Sequence, residues 1–373
     1  MNELETFHDI AADPYRYAET WKIKFANKVI GYFCSYTPEE LIHAAGALPV
    51  RIFSGTGNTT LADAHLQTYC CSLARSGLEE ALSGKLGFLD GAVFPHTCDT
   101  IQRLSDIWRI NAGVPLHFDV VLPVKLNSKS AHDYLIAILH KFRRELEQGL
   151  GIEISDQKLR ASIRLYNHIR KALTGLYQLR SQQPKILSGS DVYSIMKSAM
   201  TMDRENFLIH LKNVLVRLAK KKESARSDNR KRIILAGGIC SHPDIYSILE
   251  AAGGVVIWDD LCTGSRYFSG QMDEASDPIE AIAARYIERA VCPTKHFDLT
   301  RRSENLVQLV KDHHADGVIF LFLKFCDPHA FDYPWLKDNL DKAAIPSMLL
   351  EIDDQLTATG QLRTRLEAFV EML

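Results

Sequence analysis

Two segments in opposite halves of the chain say nearly the same thing. Asp90-Gly91-Ala92-Val93-Phe94 runs on to Cys98-Asp99, and Asp316-Gly317-Val318-Ile319-Phe320 runs on to Cys326-Asp327. Each reads as a short, continuous apolar strand entered through a turn-forming Asp-Gly, the pattern of a parallel strand covered by helices on both faces. In such sheets ligands bind just beyond the carboxyl ends of the strands, where both cysteines fall. The repeat predicts two related α/β modules that present thiols to a common site.

The rest of the chain agrees with this division. Strands are predicted at Lys28 to Phe33, Leu48 to Phe53, after Asp90, and at Asp119 to Val124, separated by helices at Glu39 to Ala45, Ser72 to Leu82 and Thr100 to Ile110. That alternation implies a parallel sheet. From about Ala131 to Ser224 only helical periodicity is found, as in Leu159, Ile163, Tyr166 and Ile169-Arg170. The charged stretch Lys220 to Arg232 reads as an exposed linker. The alternation then restarts, with strands at Ile233 to Ala236, Val255 to Trp258, after Asp316 and at Ser347 to Ile352, and helices that include Pro334 to Ala344. The expected fold is α/β, with two Rossmann-like parallel-sheet domains (residues 1–130 and 231–373) and a helical domain between them (131–230).

Bulk properties narrow the function. The 373-residue chain carries a formal net charge of -2, which gives no electrostatic reason to expect nucleic acid as a partner. No apolar run is long enough to span a bilayer, and Met1-Asn2-Glu3-Leu4-Glu5 does not begin a secretory signal, so a cytoplasmic protein is expected. In that compartment its eight cysteines remain thiols or bind metal.

The placement of those cysteines says more than their number. Cys34, Cys98, Cys240, Cys262 and Cys326 all follow the carboxyl end of a predicted strand, and Cys70-Cys71 open a helix. Free cysteine is a small, commonly buried hydrophobe, but chance burial would scatter thiols along strands rather than gather them at the ends. Close Cys-x-x-Cys pairs and ferredoxin-type runs are missing, and His96 stands too near Cys98 in sequence for a Cys-His nucleophile. His313-His314 and His329 are possible metal ligands whose commoner home is an exposed helix end. Asp259-Asp260 and Arg266 follow a strand, with no role assigned. A site assembled from distant thiols in a cleft remains, and soft thiolates select iron–sulfur clusters or zinc.

Several stretches then carry a resemblance. They are Ile30-Gly31-Tyr32-Phe33-Cys34-Ser35-Tyr36-Thr37-Pro38-Glu39-Glu40-Leu41-Ile42-His43-Ala44-Ala45-Gly46, Cys71-Ser72-Leu73-Ala74-Arg75-Ser76, Leu89-Asp90-Gly91 with Cys98-Asp99, and Lys324-Phe325-Cys326-Asp327-Pro328. With Glu351-Ile352-Asp353 and Thr364-Arg365-Leu366-Glu367-Ala368-Phe369, the chain resembles, over almost its whole length, the 2-hydroxyacyl-CoA dehydratase and benzoyl-CoA reductase family of iron–sulfur subunits.

The resemblance implies one 4Fe-4S cluster held by Cys71, Cys98 and Cys326 between the two α/β domains, with Cys70 the rival for the first position. Cys34, Cys240, Cys262 and Cys292 would then be structural thiols. It also implies a homologous iron–sulfur subunit as partner (in a heterodimer, or a homodimer), an ATP-hydrolysing activator that delivers a low-potential electron, and an acyl-CoA substrate. The chain has no Gly-x-x-x-x-Gly-Lys-Ser/Thr loop, in keeping with ATP use elsewhere. One electron added to a 2-hydroxyacyl thioester lets the α-hydroxyl leave and acidifies the β-hydrogen, whereas an aromatic thioester would keep the electrons in a reduced ring. Ser35 aligns with a substrate-proximal serine of catalytic subunits and is the candidate catalytic residue, though its hydroxyl could equally cap the helix at Pro38. Phe53 stands where catalytic subunits have a glutamate, a departure that weakens the case for dehydration on this subunit. Two other functions stay open: a noncatalytic electron-transfer subunit, and a stand-alone low-potential reductase.

Overall fold

The computed structural model describes residues 3–55, 57–220, 228–240, 244–289, 292–295, 299–352 and 359–373. Four strands, β1 (Val29–Tyr32), β2 (Leu48–Arg51), β3 (Gly91–Pro95) and β4 (Leu116–Val120), form a parallel sheet in the order β2-β1-β3-β4. The first three are buried along their whole length, because helices cover both faces. Pro49 is tolerated because β2 is an edge strand, where a missing N–H leaves no ladder partner unsatisfied on the open side.

A second sheet repeats the first. Strands β5 (Lys231–Gly237), β6 (Gly254–Asp260), β7 (Gly317–Leu323) and β8 (Ser347–Ile352) are parallel and ordered β6-β5-β7-β8. The two Asp-Gly strands of the sequence, β3 and β7, occupy the same inner position in their sheets. In each sheet the winding direction reverses between the first strand and its inner neighbour, β1 beside β3 and β5 beside β7. Those are the switch points at which α/β sheets open a crevice.

Between the sheets in sequence lie four helices, Lys129–Leu150, Asp156–Gln182, Gly189–Ala199 and Arg204–Lys220. Ser128, Ser155 and Ser188 cap the first three by accepting backbone N–H groups three residues on. The first helix lays Leu135, Leu139 and Phe142 against Phe118 of β4. The N-terminal helix Glu3–Ala12 packs on the last two, with Phe7 against Phe207 at 5.6 Å between ring centroids. No helix among the described residues is long and apolar enough to cross a membrane.

Three sequence expectations are corrected. The strand expected at Asp119 to Val124 lies at Leu116–Val120, in register with Gly91 to Pro95. Asp119 is instead fastened near its end by Ser105 and His96, whose contacts to Oδ1 are 2.5 and 2.8 Å. The charged stretch is not linker throughout: 221–227 lie outside the described residues, but Lys231 and Arg232 belong to β5. Arg232 donates to the carbonyls of His313 and Ser181, so it ties the strand to two helices. Pro334 does not open its helix but lies inside Asp327–Lys342, whose first-turn proline is Pro328.

A thiol-lined candidate site between the two sheets

The cysteines converge because of where helices begin. Cys71, Cys98 and Cys326 are the N-cap residues of the helices Ser72–Leu82, Asp99–Asn111 and Asp327–Lys342, and none makes a side-chain capping hydrogen bond. Three partly positive helix ends therefore face three sulfurs, an arrangement that favours negative charge there. Cys71 belongs to a buried apolar cluster shared by both modules, which takes Ile239 and Leu323 from the second, and Cys70, Cys98, Cys262 and Cys326 pack against it.

The thiols feel one another. Burial pushes the Cys98 thiol up to about 12, and Cys71, Cys34 and Cys292 add to the shift. Cys326 is also raised, first by burial and then by Cys71, with Cys98 and Cys292 contributing. The amides of Ile101 and His329 pull these values partly back, although no full capping bond forms. Thiols in such surroundings stay protonated until a metal displaces the proton. Among the described residues no three His, Cys, Asp or Glu groups lie close enough for a single ion. An iron–sulfur cube, by contrast, takes its ligands at separations set by its own width.

His329 corrects an expectation. It is buried at the start of its helix rather than exposed, with Nδ1 3.2 Å from the Cys326 sulfur. Burial, helped by Arg266 and Arg302, lowers its pKa to about 3, so the ring is neutral. His313 is a structural residue: it stacks on Trp258 at 4.0 Å and pairs with Ser181 Oγ at 2.9 Å.

A second set of thiols lies nearby. Arg266 Nη1 is 3.6 Å from the Cys262 sulfur, and Cys292 sits 3.3 Å from Thr294 Oγ1. Cys262 and Cys292 also share a hydrogen bond, which raises the first thiol and lowers the second. Arg266 is anchored by Asp260 at 2.7 Å and by the Gly237 carbonyl at 2.6 Å. Gly237 is required at this strand end, since its φ is +142° and a Cβ would stand 2.0 Å from the Leu321 oxygen. Asp259, next to Asp260, is raised to about 6 mainly by burial, against hydrogen bonds from Tyr177 and the Ser265 and Leu261 amides.

The loop after β1 is held by cations from the second module. Arg289 Nη2 donates to the Ser35 carbonyl at 2.5 Å, and the guanidinium lies 4.5 Å from the Tyr36 ring centroid. Lys295, fully buried, donates to the Pro123 carbonyl and approaches the same ring at 5.3 Å. Ser35 does not cap the following helix, whose N-cap is Pro38 without side-chain help. It lines a cavity of about 10 Å³ with Thr37, Glu39 and Glu40. The two glutamates stand in the first turn of that helix and are buried ion-pair partners. Glu40 pairs with Arg170, and Glu39 takes Arg204 at 2.7 Å and the Tyr166 and Tyr267 hydroxyls at 3.2 Å. Sequence reasoning missed these arginines, because only the fold brings them to the glutamates.

These features define a class: a protein of two parallel α/β sheets in which cysteines at helix N-termini pack on one apolar cluster. The chain belongs to the family described as 2-hydroxyglutaryl-CoA dehydratase, D-component, whose profile matches residues 34–373. It is 32% identical over 338 residues to a subunit of benzoyl-CoA reductase from Thauera aromatica, covering 88% of this chain and 86% of the relative. It is 29% identical over 367 residues to the (R)-phenyllactyl-CoA dehydratase beta subunit of Clostridium sporogenes, covering 98% and 97%. A third relative is the beta subunit of (R)-2-hydroxyglutaryl-CoA dehydratase from Acidaminococcus fermentans, 27% identical over 377 residues and covering 99% and 98%.

Proposed function

We propose that this chain is the iron–sulfur subunit of a multi-subunit enzyme acting on acyl-CoA thioesters, by 2-hydroxyacyl-CoA dehydration or benzoyl-CoA-type ring reduction. The observation that carries the reading is the set of three N-cap cysteines, Cys71, Cys98 and Cys326, around one apolar cluster that spans both modules. The donor set fits a 4Fe-4S cluster: three soft ligands, a dry surround, and helix ends that favour an anionic group. Such a cluster would supply a single low-potential electron and one iron lacking a protein ligand.

Cys71 is favoured over Cys70 by its surroundings. Cys71 is buried and bears on both Cys98 and Cys326. Cys70 is only partly buried, and the charges that act on it are those of Arg75, Asp99 and Asp327. The chain's own residues exclude water through Ile239, Leu323 and Leu66, and Arg289 ties the second module to the loop after β1. The proposed partners are a homologous subunit and an ATP-hydrolysing activator, in the cytoplasm.

Ser35 is the candidate for hydrogen bonding to substrate. Its cavity, at about 10 Å³, has room for about one water, so contact with an acyl group requires that space to widen. This dimension favours a second reading, in which the subunit relays electrons to a partner that holds the substrate.

Anaerobic purification with iron and sulfide analysis tests the first proposal, repeated on Cys71→Ser, Cys98→Ser and Cys326→Ser. Each variant should lose most of its iron. Full iron in any one of them removes that residue from the ligand set.

A further inference from the structure

The N-terminal helix Glu3–Ala12 is fastened across the helix Gly189–Ala199, where Ser198 Oγ donates to the Phe7 carbonyl at 3.2 Å. The neighbouring His8 spans one turn of that helix with its ring: Nε2 lies 2.7 Å from Asp191 Oδ1, and Nδ1 lies 2.9 Å from Ser194 Oγ. An ionised carboxylate only accepts, so Asp191 fixes the ring proton on Nε2 and leaves the Nδ1 lone pair facing the Ser194 hydroxyl. Asp191 is itself held, because its Oδ2 accepts from the Ser188 amide at 3.0 Å and from the Ser188 hydroxyl at 2.7 Å. His8 and the buried Ser194 line a cavity of about 440 Å³, the size of a small-ligand site, with Tyr15, Phe53, Tyr193 and Lys197. Lys197 stands three residues beyond Ser194, on the same helical face. Its ammonium lies over the Phe53 and Tyr193 rings, at 5.3 and 5.8 Å from their centroids, and burial lowers its pKa against the pull of Glu80 and Asp13. A second trio provides the contrast. His43 lies between Ser162 and Glu205, but Ser162 donates its one proton to the Glu40 carbonyl at 2.9 Å and has none for the imidazole.

We infer that Ser194 and His8, positioned by Asp191, form a hydrolytic site for small acyl esters and thioesters, with Lys197 beside the developing oxyanion. Ser194 Oγ adds to the acyl carbonyl while its proton passes to His8 Nδ1. That proton then goes to the departing alkoxide or thiolate as its bond to the carbonyl carbon breaks, which leaves the acyl group on Ser194. A water molecule, giving its proton to the same nitrogen, cleaves the acyl-serine, and the products are a carboxylic acid and the free serine. The ring nitrogens serve the other way round from a serine protease, and the chemistry is the same, since either nitrogen is a base once the other holds the proton. The Tyr15, Phe53 and Tyr193 side chains give the acyl group an apolar wall. The reaction needs neither iron nor electrons, so it goes beyond the iron–sulfur reading and does not depend on it.

The test uses the full chain and two probes. A fluorophosphonate, which bonds to an activated serine with loss of fluoride, is followed by peptide mass spectrometry. Hydrolysis of p-nitrophenyl acetate is followed beyond one equivalent per chain, so that acylation of surface lysines does not count. Wild type should carry the label on Ser194 and none on Ser162. Ser194→Ala should lose turnover, and His8→Gln should slow labelling of Ser194 about a hundredfold, the scale of a lost general base. Lys197→Gln should lower kcat with KM little changed, the sign of a group that acts in the transition state. An unlabelled Ser194 overturns the inference, and so does turnover that survives Ser194→Ala or equal labelling of Ser162. Neither Ser194→Ala nor His8→Gln removes an apolar core side chain, so wild-type urea midpoints are expected and a loss is read as chemistry. Failure here leaves the iron–sulfur proposal standing, whereas wild-type protein without iron would sink that proposal alone.

Discussion

Arg289 of the second module holds the carbonyl oxygen of Ser35 in the first at 2.5 Å, and its other terminal nitrogen donates to the Arg266 carbonyl at 3.1 Å. One guanidinium thus joins the loop after β1 to the helix after β6, across the mouth of the thiol cleft. Arg289→Met should cost about 3 kcal/mol, the sum expected for two charge-assisted hydrogen bonds to buried carbonyls. Arg289→Lys should recover less than half, since an ammonium cannot reproduce the fork. Urea midpoints of the three proteins measure both effects.

Glu40 and Arg170 form a buried pair with Arg285 nearby. Burial alone would raise the Glu40 carboxyl, but Arg170 and then Arg285 outweigh it and the pKa falls below its ordinary value. A lowered carboxylate stabilises the fold above the unfolded value of about 4.3, and that contribution disappears as pH drops through the folded value. Glu40→Gln should therefore destabilise by about 3–5 kcal/mol at neutral pH, by leaving Arg170 buried without its counter-charge. The gap between wild type and variant should narrow as urea titrations are repeated from pH 7 towards pH 3. A constant gap would show that the charge is not what matters.

Asp259 carries the opposite sign. Its folded pKa, raised to about 6, lies above the unfolded value, so between roughly pH 4 and 6 the unfolded chain has released a proton that the folded chain keeps. Stability from this group falls as pH rises through that window and then levels off about 3 kcal/mol lower. Asp259→Asn can keep the Tyr177 and backbone contacts while removing the titration. The variant should lack this fall between pH 4 and 6, read as the difference in urea midpoint from wild type.

Cys70→Ser should bind iron as wild type does, while Cys71→Ser should not. Metal analysis of anaerobically purified protein separates the adjacent thiols. The reverse result would move the ligand by one residue, out of the N-cap.

Gly237→Ala should destabilise by about 3 kcal/mol or more, because the strand end must move to relieve a methyl placed 2.0 Å from the Leu321 oxygen. Its carbonyl binds Arg266, so the Cys262 environment should shift as well, visible as altered reactivity of that thiol towards iodoacetamide.

Much of this architecture is legible in the chain itself. Continuous apolar runs after Asp-Gly mark β3 and β7, and the helix Ser72–Leu82 and strand Ser347–Ile352 fall at the residues their patterns predict. These are local signals: period, turn residues and the length of an apolar run decide a strand or helix wherever it packs. The thiols at strand ends follow from the same pattern, and with them the expectation of a cleft.

Periodicity is silent on partners, and there the tertiary structure decided. Pro334 reads as a helix start, but the packed segment begins at Cys326 and carries the proline inside. Glu39 and Glu40 read as first-turn carboxylates favoured by a helix dipole, and nothing near them in sequence names their arginines, which lie far along the chain on the helices Asp156–Gln182 and Arg204–Lys220. His329 reads as exposed, yet the second module folds it against Cys326. Sequence alone determined two parallel α/β modules with thiols at their strand ends. Only the tertiary packing decided which charges are buried and which thiols share a cluster, because burial and Coulomb energy depend on distances in space and not along the chain.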